Sequence, residues 1–238
     1  MNLILFSPDE IGHPLSTEDP RAVHLLRTLR RQEGDLFDAG VVNGDRLKGR
    51  ISAISSDTLS LDFETVETPP PLHPVLLLVG LPRPQTARKI LQEATSLGVC
   101  AIHFVKTEKG ESSYAKSRLW STGEYRRHLI AGAEQAFTTR IPEIVHHEKV
   151  ADALNEISPD LPGIALDNYE ATGFVRDYQP PPSGCFVAVG SERGWSAKER
   201  DSFREREIPL LQLGTHVLRT ETASLCALAL ILARLKLL

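Results

Sequence analysis

In Leu211-Gln212-Leu213-Gly214-Thr215-His216-Val217-Leu218-Arg219-Thr220-Glu221-Thr222-Ala223, a short apolar strand end runs into a glycine, a polar cluster and then a helix. The helix reads on to about Lys236 and is apolar on nearly every side, through Leu225, Cys226, Leu228, Leu230, Ile231 and Leu235. A helix of that kind must be buried in the fold or against another subunit. A second strand-to-glycine turn lies upstream, Val187-Ala188-Val189-Gly190-Ser191-Glu192-Arg193-Gly194-Trp195-Ser196. Ser196 with Glu199 three residues on is a capping box that opens a helix.

Working outward, the same grammar repeats. Val75 to Val79 is a continuous apolar run, the pattern of a strand buried on both faces. A helix is expected from about Gln85 to Leu97, ending at Gly98, and then a strand from Ala101 to Val105. One long helix is expected over Arg118 to Phe137, and further strands at Gly163–Leu166, Cys185–Val189 and Pro209–Leu213. Strands alternating with helices imply an α/β domain with a mainly parallel sheet. In such sheets ligands bind beyond the carboxyl ends of the strands, where both glycine turns fall.

Ahead of this domain, Thr68-Pro69-Pro70-Pro71-Leu72-His73-Pro74 reads as a stiff linker, which divides the chain into residues 1–68 and 75–238. The first part carries short strand signals at Leu3–Phe6, Asp35–Asp38, Arg46–Ile54 and Leu59–Phe63. One helix interrupts them, opened by the Asp19-Pro20 cap pair and continued by the spacing of Val23, Leu26 and Arg30. Several short strands and one helix imply a small β-barrel.

The 238 residues are 41% hydrophobic and 24% charged, a globular mix. The net charge of −4 argues against indiscriminate nucleic-acid binding but leaves room for a local basic face. Residues 1–70 carry 7 Lys/Arg against 12 Asp/Glu, residues 71–150 carry 11 against 7, and residues 151–238 carry 9 against 12. Positive charge thus gathers in the middle, with a smaller cluster at Arg27, Arg30 and Arg31. Met1 to Phe6 lack the pattern of a signal peptide, and Leu225–Ala233 is too short to span a bilayer. Cys100, Cys185 and Cys226 have no metal-type spacing and, in apolar surroundings, read as reduced core thiols of a cytosolic protein. His146-His147 lacks a third ligand nearby and reads as a surface loop rather than a metal site. A P-loop is excluded by the lack of Gly-Lys-Ser/Thr, and a Rossmann site by the lack of G-x-G-x-x-G after a strand.

Taken together, Gly190–Ser196 and Leu213–Ala223 resemble two motifs of the RsmE family of SPOUT (trefoil-knotted) RNA methyltransferases: a Gly-Pro-Glu-Gly-Gly-Phe-Ser turn and a Leu-Gly-x-x-Ile-Leu-Arg-x-Glu-Thr-Ala segment. The likeness extends to His24-Leu25-Leu26-Arg27-Thr28-Leu29-Arg30, to Lys106-Thr107-Glu108, and to Glu134-Gln135 with Arg140 and Pro142. Ser191 and Arg193 depart from the family's Pro and second Gly, and Ser96 from the Glu of its Glu-Leu-Gly.

The resemblance implies a PUA-like β-barrel that recognises RNA, followed by a SPOUT-type α/β domain with a C-terminal trefoil knot. It also implies a homodimer that uses S-adenosyl-L-methionine (SAM) to methylate N3 of a uridine in small-subunit (16S) ribosomal RNA, without metal or membrane. SAM carries no phosphate, so a glycine turn without lysine suits it. The cofactor residues so implied are Leu166, Gly190, Glu192, Gly194, Leu213, Gly214, Val217, Leu218, Thr222 and Ala223. Arg219 is the candidate cation for the uracil anion that forms as N3 loses its proton, with Glu221 beside it; bracing the loop backbone is the other reading of Arg219. Arg27, Arg30 and Arg140 are the candidate RNA contacts. Glu192 either meets the ligand or caps the following helix, Trp195 reads as packing, and Arg126 and Arg127 as a solvated helix face. Two alternatives stand beside this reading: an RNA-binding or ribosome-assembly protein with a decayed transfer site, and a SPOUT enzyme with another RNA target.

Overall fold

The computed structural model describes residues 3–238. It divides into two compact units, one holding the chain up to Pro71 together with Ala133–Ile141, the other holding Leu72–Gly132 and Pro142–Leu238.

The first unit is built on β1 (Ile4–Phe6), β2 (Leu15–Ser16), α1 (Pro20–Val23), β3 (Leu36–Val41), β4 (Arg46–Ile54) and β5 (Thr58–Glu67). The strand order is β1-β3-β4-β5-β2, with β1 parallel to β3 and the other pairs antiparallel. The expected barrel takes the form of a curled half-barrel: among the described residues β1 and β2 are its edges and do not pair. Alternation along β4 and β5 turns Leu47, Ile51, Leu59 and Leu61 inward, onto Phe6, Ala22, Leu25 and Phe37. Asp19 caps α1 through a 2.8 Å bond from the Arg21 amide, and a π-helical turn over His24–Thr28 continues the helix. The expected spacing overruns here, because Arg30 has φ +54 and lies beyond the helix end. The Ala133–Ile141 segment joins this unit by hydrogen bonds. The Glu134 carboxylate accepts the Leu5 amide at 3.0 Å, and the Thr139 hydroxyl donates to the Gly44 carbonyl at 2.6 Å. Burial pushes the Glu134 carboxyl up, against the pull of that amide and the fields of Arg21 and His24.

The second unit holds β6 (His73–Gly80), α2 (Pro84–Ser96), β7 (Val99–Val105), α3 (Arg118–Ser121), α4 (Tyr125–Gln135, whose last turn belongs to the first unit), β8 (Glu143–His147) and α5 (Val150–Glu156). It continues with β9 (Gly163–Leu166), β10 (Gly173–Phe174), β11 (Cys185–Val189), α6 (Ala197–Arg204), β12 (Leu210–Gln212) and α7 (Thr220–Arg234). All seven strands are parallel, in the order β10-β12-β9-β11-β6-β7-β8. The central pair, β6 and β11, is apolar and buried over Val75–Val79 and throughout β11. Leu76, Leu78, Phe186 and Ala188 pack with residues of α5 and α6, including Leu154 and Phe203. Alternation sends Val75, Leu77, Val79 and Val187 to the other face, where α2 and α7 lie against the sheet. β12 lies between β9 and β10, although the chain joins those two directly through residues 167–172.

Two expectations change. The long helix over Arg118–Phe137 is broken into α3 and α4 by Gly123, whose φ of +73 no helix accommodates. His146 and His147 lie on β8, not in a surface loop; His147 is buried, with a 3.0 Å hydrogen bond between its Nε2 and His103 Nδ1. Arg126 and Arg127 are exposed on α4, as a solvated face requires. No helix among the described residues is long and apolar enough to cross a membrane.

Candidate functional site

β9, β11 and β12 end side by side, since Leu166 pairs with both Val189 and Leu211. The three loops that follow, from Asp167, Gly190 and Leu213, wall a cleft of about 400 Å³ with the start of α7. That size suits a small organic ligand. Leu166, Val189, Leu213, Val217, Leu218 and Ala223 give it apolar walls. Its polar edge carries Asp167, Asn168, Ser191, Glu192, Gln212 and His216, and its cations are Arg83, Arg193 and Arg219.

The glycine turn is held by close packing. A Cβ on Gly190 would sit 2.9 Å from the Gly194 Cα, and Gly194 itself has φ +65. The Ser191 hydroxyl is buried and lies 3.0 Å from the Thr107 hydroxyl, so the residue standing where the resembled family has proline is tied to the loop after β7. Below the turn, the capping box closes as expected: Glu199 N donates to Ser196 Oγ at 3.1 Å, and Ser196 N to Glu199 Oε2 at 2.7 Å. Glu199 Oε1 also accepts the Glu108 amide at 2.9 Å. Glu192 therefore does not cap α6. Its Oε1 accepts the Arg83 amide at 3.0 Å, at the N-terminus of α2, and pairs with Arg83 Nε at 3.6 Å. Trp195 is packing, as expected: it is fully buried, its Nε1 donates to the Leu166 carbonyl at 3.0 Å, and its ring meets Phe203 edge-on.

The loop after β9 is held by a buried ion pair, Arg200 Nε to Asp167 Oδ2 at 2.8 Å. Asp167 Oδ1 accepts the amides of Tyr169 and Glu170, both at 2.7 Å. Tyr169, 78% exposed, stands over the Arg200 guanidinium with 5.5 Å between the charge and the ring centroid. Arg219 is the N-cap of α7 and is exposed. Glu221 faces the same cleft, with Lys89 Nζ donating to it at 3.4 Å. Burial disfavours its charge, but its own amide, Lys89 and the field of Arg219 outweigh that and hold the carboxyl below its usual range.

Of the residues expected here, Arg219, Glu221, Leu166, Gly190, Glu192, Gly194, Leu213, Val217, Leu218 and Ala223 line the cleft together. Gly214 and Thr222 do not. Thr222 is one helical step, about 100°, from Glu221 and Ala223 and is exposed to solvent; Gly214 is half-buried between the lining residues Leu213 and His216 in the chain. Arg140, the other candidate RNA contact, is not among the cleft residues. It belongs to the first unit, where its guanidinium donates to the main-chain carbonyls of Asn43 at 2.7 Å and Pro69 at 3.5 Å, so it braces a turn. Arg27, Arg30 and Arg31 are exposed on that unit. Sequence reasoning missed Arg83 and the Asp167–Tyr169 loop. The adjacency of Asp167 to the end of a parallel strand was the available signal for the loop; nothing local marked Arg83. No group of three metal-ligating side chains is present among the described residues.

An all-parallel sheet with a partly apolar cleft beyond its strand ends, rimmed by arginines and without a phosphate loop, defines an α/β protein built to hold a small organic ligand beside an anionic partner. Residues 68–232 match the model of the RNA methyltransferase domain, and the chain belongs to that family. It is 35% identical to a Treponema pallidum ribosomal RNA small subunit methyltransferase E, over 98% of this chain and 91% of that protein. It is 28% identical to a Borreliella burgdorferi ribosomal RNA small subunit methyltransferase E 1, over 95% of each. Among solved structures, a Neisseria gonorrhoeae ribosomal RNA small subunit methyltransferase E bound to S-adenosyl methionine is 22% identical. It has the same fold, with a TM-score of 0.76 over 98% of this chain and 97% of that one. A Legionella pneumophila protein in complex with SAM, also 22% identical, gives a TM-score of 0.80 over 97% and 96%.

Proposed function

We propose that this protein uses SAM to methylate N3 of a uridine in small-subunit (16S) ribosomal RNA. The observation that carries the reading is the meeting of the Gly190–Gly194 turn, the Leu213–Leu218 loop and Arg219 around one cleft. The residues present fit the methyl donor. Apolar Leu166, Leu213, Val217 and Leu218 can cover the faces of an adenine, while the main chain of the two loops reads its edge. The cleft stays open beside Ser191 and Arg193: the first is tied to Thr107 and the second is exposed at the rim. That favours a working site over a decayed one.

When bound, SAM supplies an electrophilic methyl group for in-line displacement. The chain's own task is orientation and charge. The loops hold the acceptor base in line, which converts an encounter into a positioned reaction. N3 of uracil must release a proton, and the ring then carries negative charge. Arg219 is exposed at the cleft and lies outside its ion pairs, Arg83–Glu192 and Lys89–Glu221, so its guanidinium is available to that charge. Glu221 fixes the first turn of α7 through Lys89 and restrains Arg219 electrostatically.

The first unit recognises RNA through Arg27, Arg30 and Arg31, within a segment of net −5, so the contacts are local. A trefoil-knotted C-terminal segment belongs to the same reading, in a sheet where β12 is inserted between β9 and β10. A homodimer and a cytoplasmic setting belong to the same reading: Cys226 and Leu230 leave an apolar outer face on α7. The decisive experiment is mass spectrometry of small-subunit rRNA digests from cells with and without the gene. Loss of one N3-methyluridine on deletion is expected, and an unchanged set of modified nucleosides would refute the proposal.

A further inference from the structure

Beside the large cleft lies a second groove of about 230 Å³. The two share one wall, formed by Arg83, Ser191, Glu192 and Arg193. The far wall comes from the loop after β7 and carries Lys109, Glu111 and Tyr114. We infer that this groove is a subsite for the nucleotide next to the target uridine, its phosphate held by Arg193 and Lys109 and its base laid against Tyr114. The inference rests on the methyltransferase reading and goes beyond it, because neither the cofactor nor the reacting base needs this groove.

The chemistry of the groove is that of a nucleotide. Arg83 and Glu192 neutralise one another across 3.6 Å and form a fixed partition between groove and cleft. Lys109 is held in place by its donation to the Trp195 carbonyl at 2.8 Å, and an ammonium has two further N–H groups to offer a phosphate. Arg193 is exposed and outside that partition pair. Of the two carboxylates in the lining, Glu192 is paired with Arg83 and Glu111 stands on the far wall. Tyr114 is half-buried in a 3₁₀ turn over Ser112–Lys116 and lines the groove. Cations along a groove with an aromatic in its wall are the usual means of holding a single strand, with stacking on the ring and the backbone on the charges. The common wall sets the spacing: a strand running over Glu192 places one nucleotide in each compartment. Arg193 stands where the resembled family has glycine, so this chain adds a cation where the two compartments meet.

The test uses the full chain with wild-type, Arg193→Ala, Lys109→Ala, Tyr114→Ala and Tyr114→Phe proteins. The probe is a fluorescent single-stranded oligouridine read by anisotropy across a salt series, alongside SAM calorimetry and methyl transfer to small ribosomal subunits from the deletion strain. Tyr114→Ala is expected to weaken oligouridine binding about tenfold while Tyr114→Phe retains it. Arg193→Ala and Lys109→Ala are each expected to flatten the log–log salt slope by about 0.7, with a higher KM for the subunit. SAM affinity of the Tyr114 variants stays at wild type. Wild-type affinity and salt slope in both Arg193→Ala and Tyr114→Ala would overturn the subsite, as would equal losses in Tyr114→Ala and Tyr114→Phe. If wild-type protein transfers no methyl group yet the variants lose oligouridine as expected, the subsite stands and the methyltransferase reading falls. If wild-type protein does not bind oligouridine, the subsite falls.

Discussion

Arg200→Met should loosen the loop that forms one side of the cofactor cleft, and the size of the effect follows from burial. The Arg200 and Asp167 side chains are 7% and 2% exposed and meet at 2.8 Å. Without the guanidinium, Asp167 keeps its two amide donors from Tyr169 and Glu170 but loses its counter-charge. Breaking a buried pair from one side costs about 3–5 kcal/mol. The two retained amide bonds, and the half-exposed second partner Glu170, place this case near the lower end, at about 3 kcal/mol. At about 2–4 °C per kcal/mol for a unit of this size, the melting temperature should fall by about 6–12 °C. Because Asp167, Asn168 and Tyr169 line the cleft, SAM affinity should fall as well, by about tenfold for each ~1.4 kcal/mol of loop ordering lost. Differential scanning calorimetry and titration calorimetry read the two effects. A double-mutant cycle with Asp167→Asn should give a coupling of at least ~1 kcal/mol, since the two groups touch. A melting temperature within about 2 °C of wild type, unchanged SAM affinity, or strictly additive single variants would refute the reasoning.

Arg219→Ala should lower single-turnover methyl transfer by about 10²–10³ with circular dichroism unchanged, and Arg219→Lys should recover only part; near-normal turnover would remove the role, and joint collapse of fold and SAM binding would make Arg219 a brace. Replacing Arg27, Arg30 and Arg31 together with alanine should reduce the log–log salt slope of rRNA binding by about 2, from about 0.7–0.9 per phosphate contact; an unchanged slope places RNA elsewhere. His103 offers a pH test. Burial, and the neighbouring His147, hold its pKa down at about 4, against an ordinary value of 6.5. A folded value below the unfolded one means full stability above pH 6.5, progressively lost as pH falls towards 4. His146 is depressed by burial in the same direction. Urea titrations should show a loss on the order of 2 kcal/mol between pH 7 and pH 4.5 that shrinks in His103→Gln, and an equal pH slope in the variant would contradict the assignment.

Local sequence carried what local forces determine. The continuous apolar run at Val75–Val79, the capping box at Ser196 and Glu199, the Asp19-Pro20 start and the Gly98 stop were legible because capping and burial of a repeating face are decided within a few residues. So were the two glycine turns that became the cleft. β8 and α5 were not, because Glu143–His147 and Val150–Glu156 carry too many polar residues to stand out before the neighbouring strand and helices bury them. Gly123 broke a helix that periodicity alone would continue. Only the tertiary structure could open the N-terminal sheet, since closure is a property of strand order rather than of any strand. It alone separated Thr222 from Glu221 across one helical step and turned Arg140 onto the Asn43 carbonyl, 97 residues away in the chain. It also brought Arg200 to Asp167, and the Tyr114 loop to the glycine turn. Those partners lie far apart in sequence, and which of them meet is settled by the packing of the whole sheet and its helices, where the cost of an unpaired buried charge selects the arrangement.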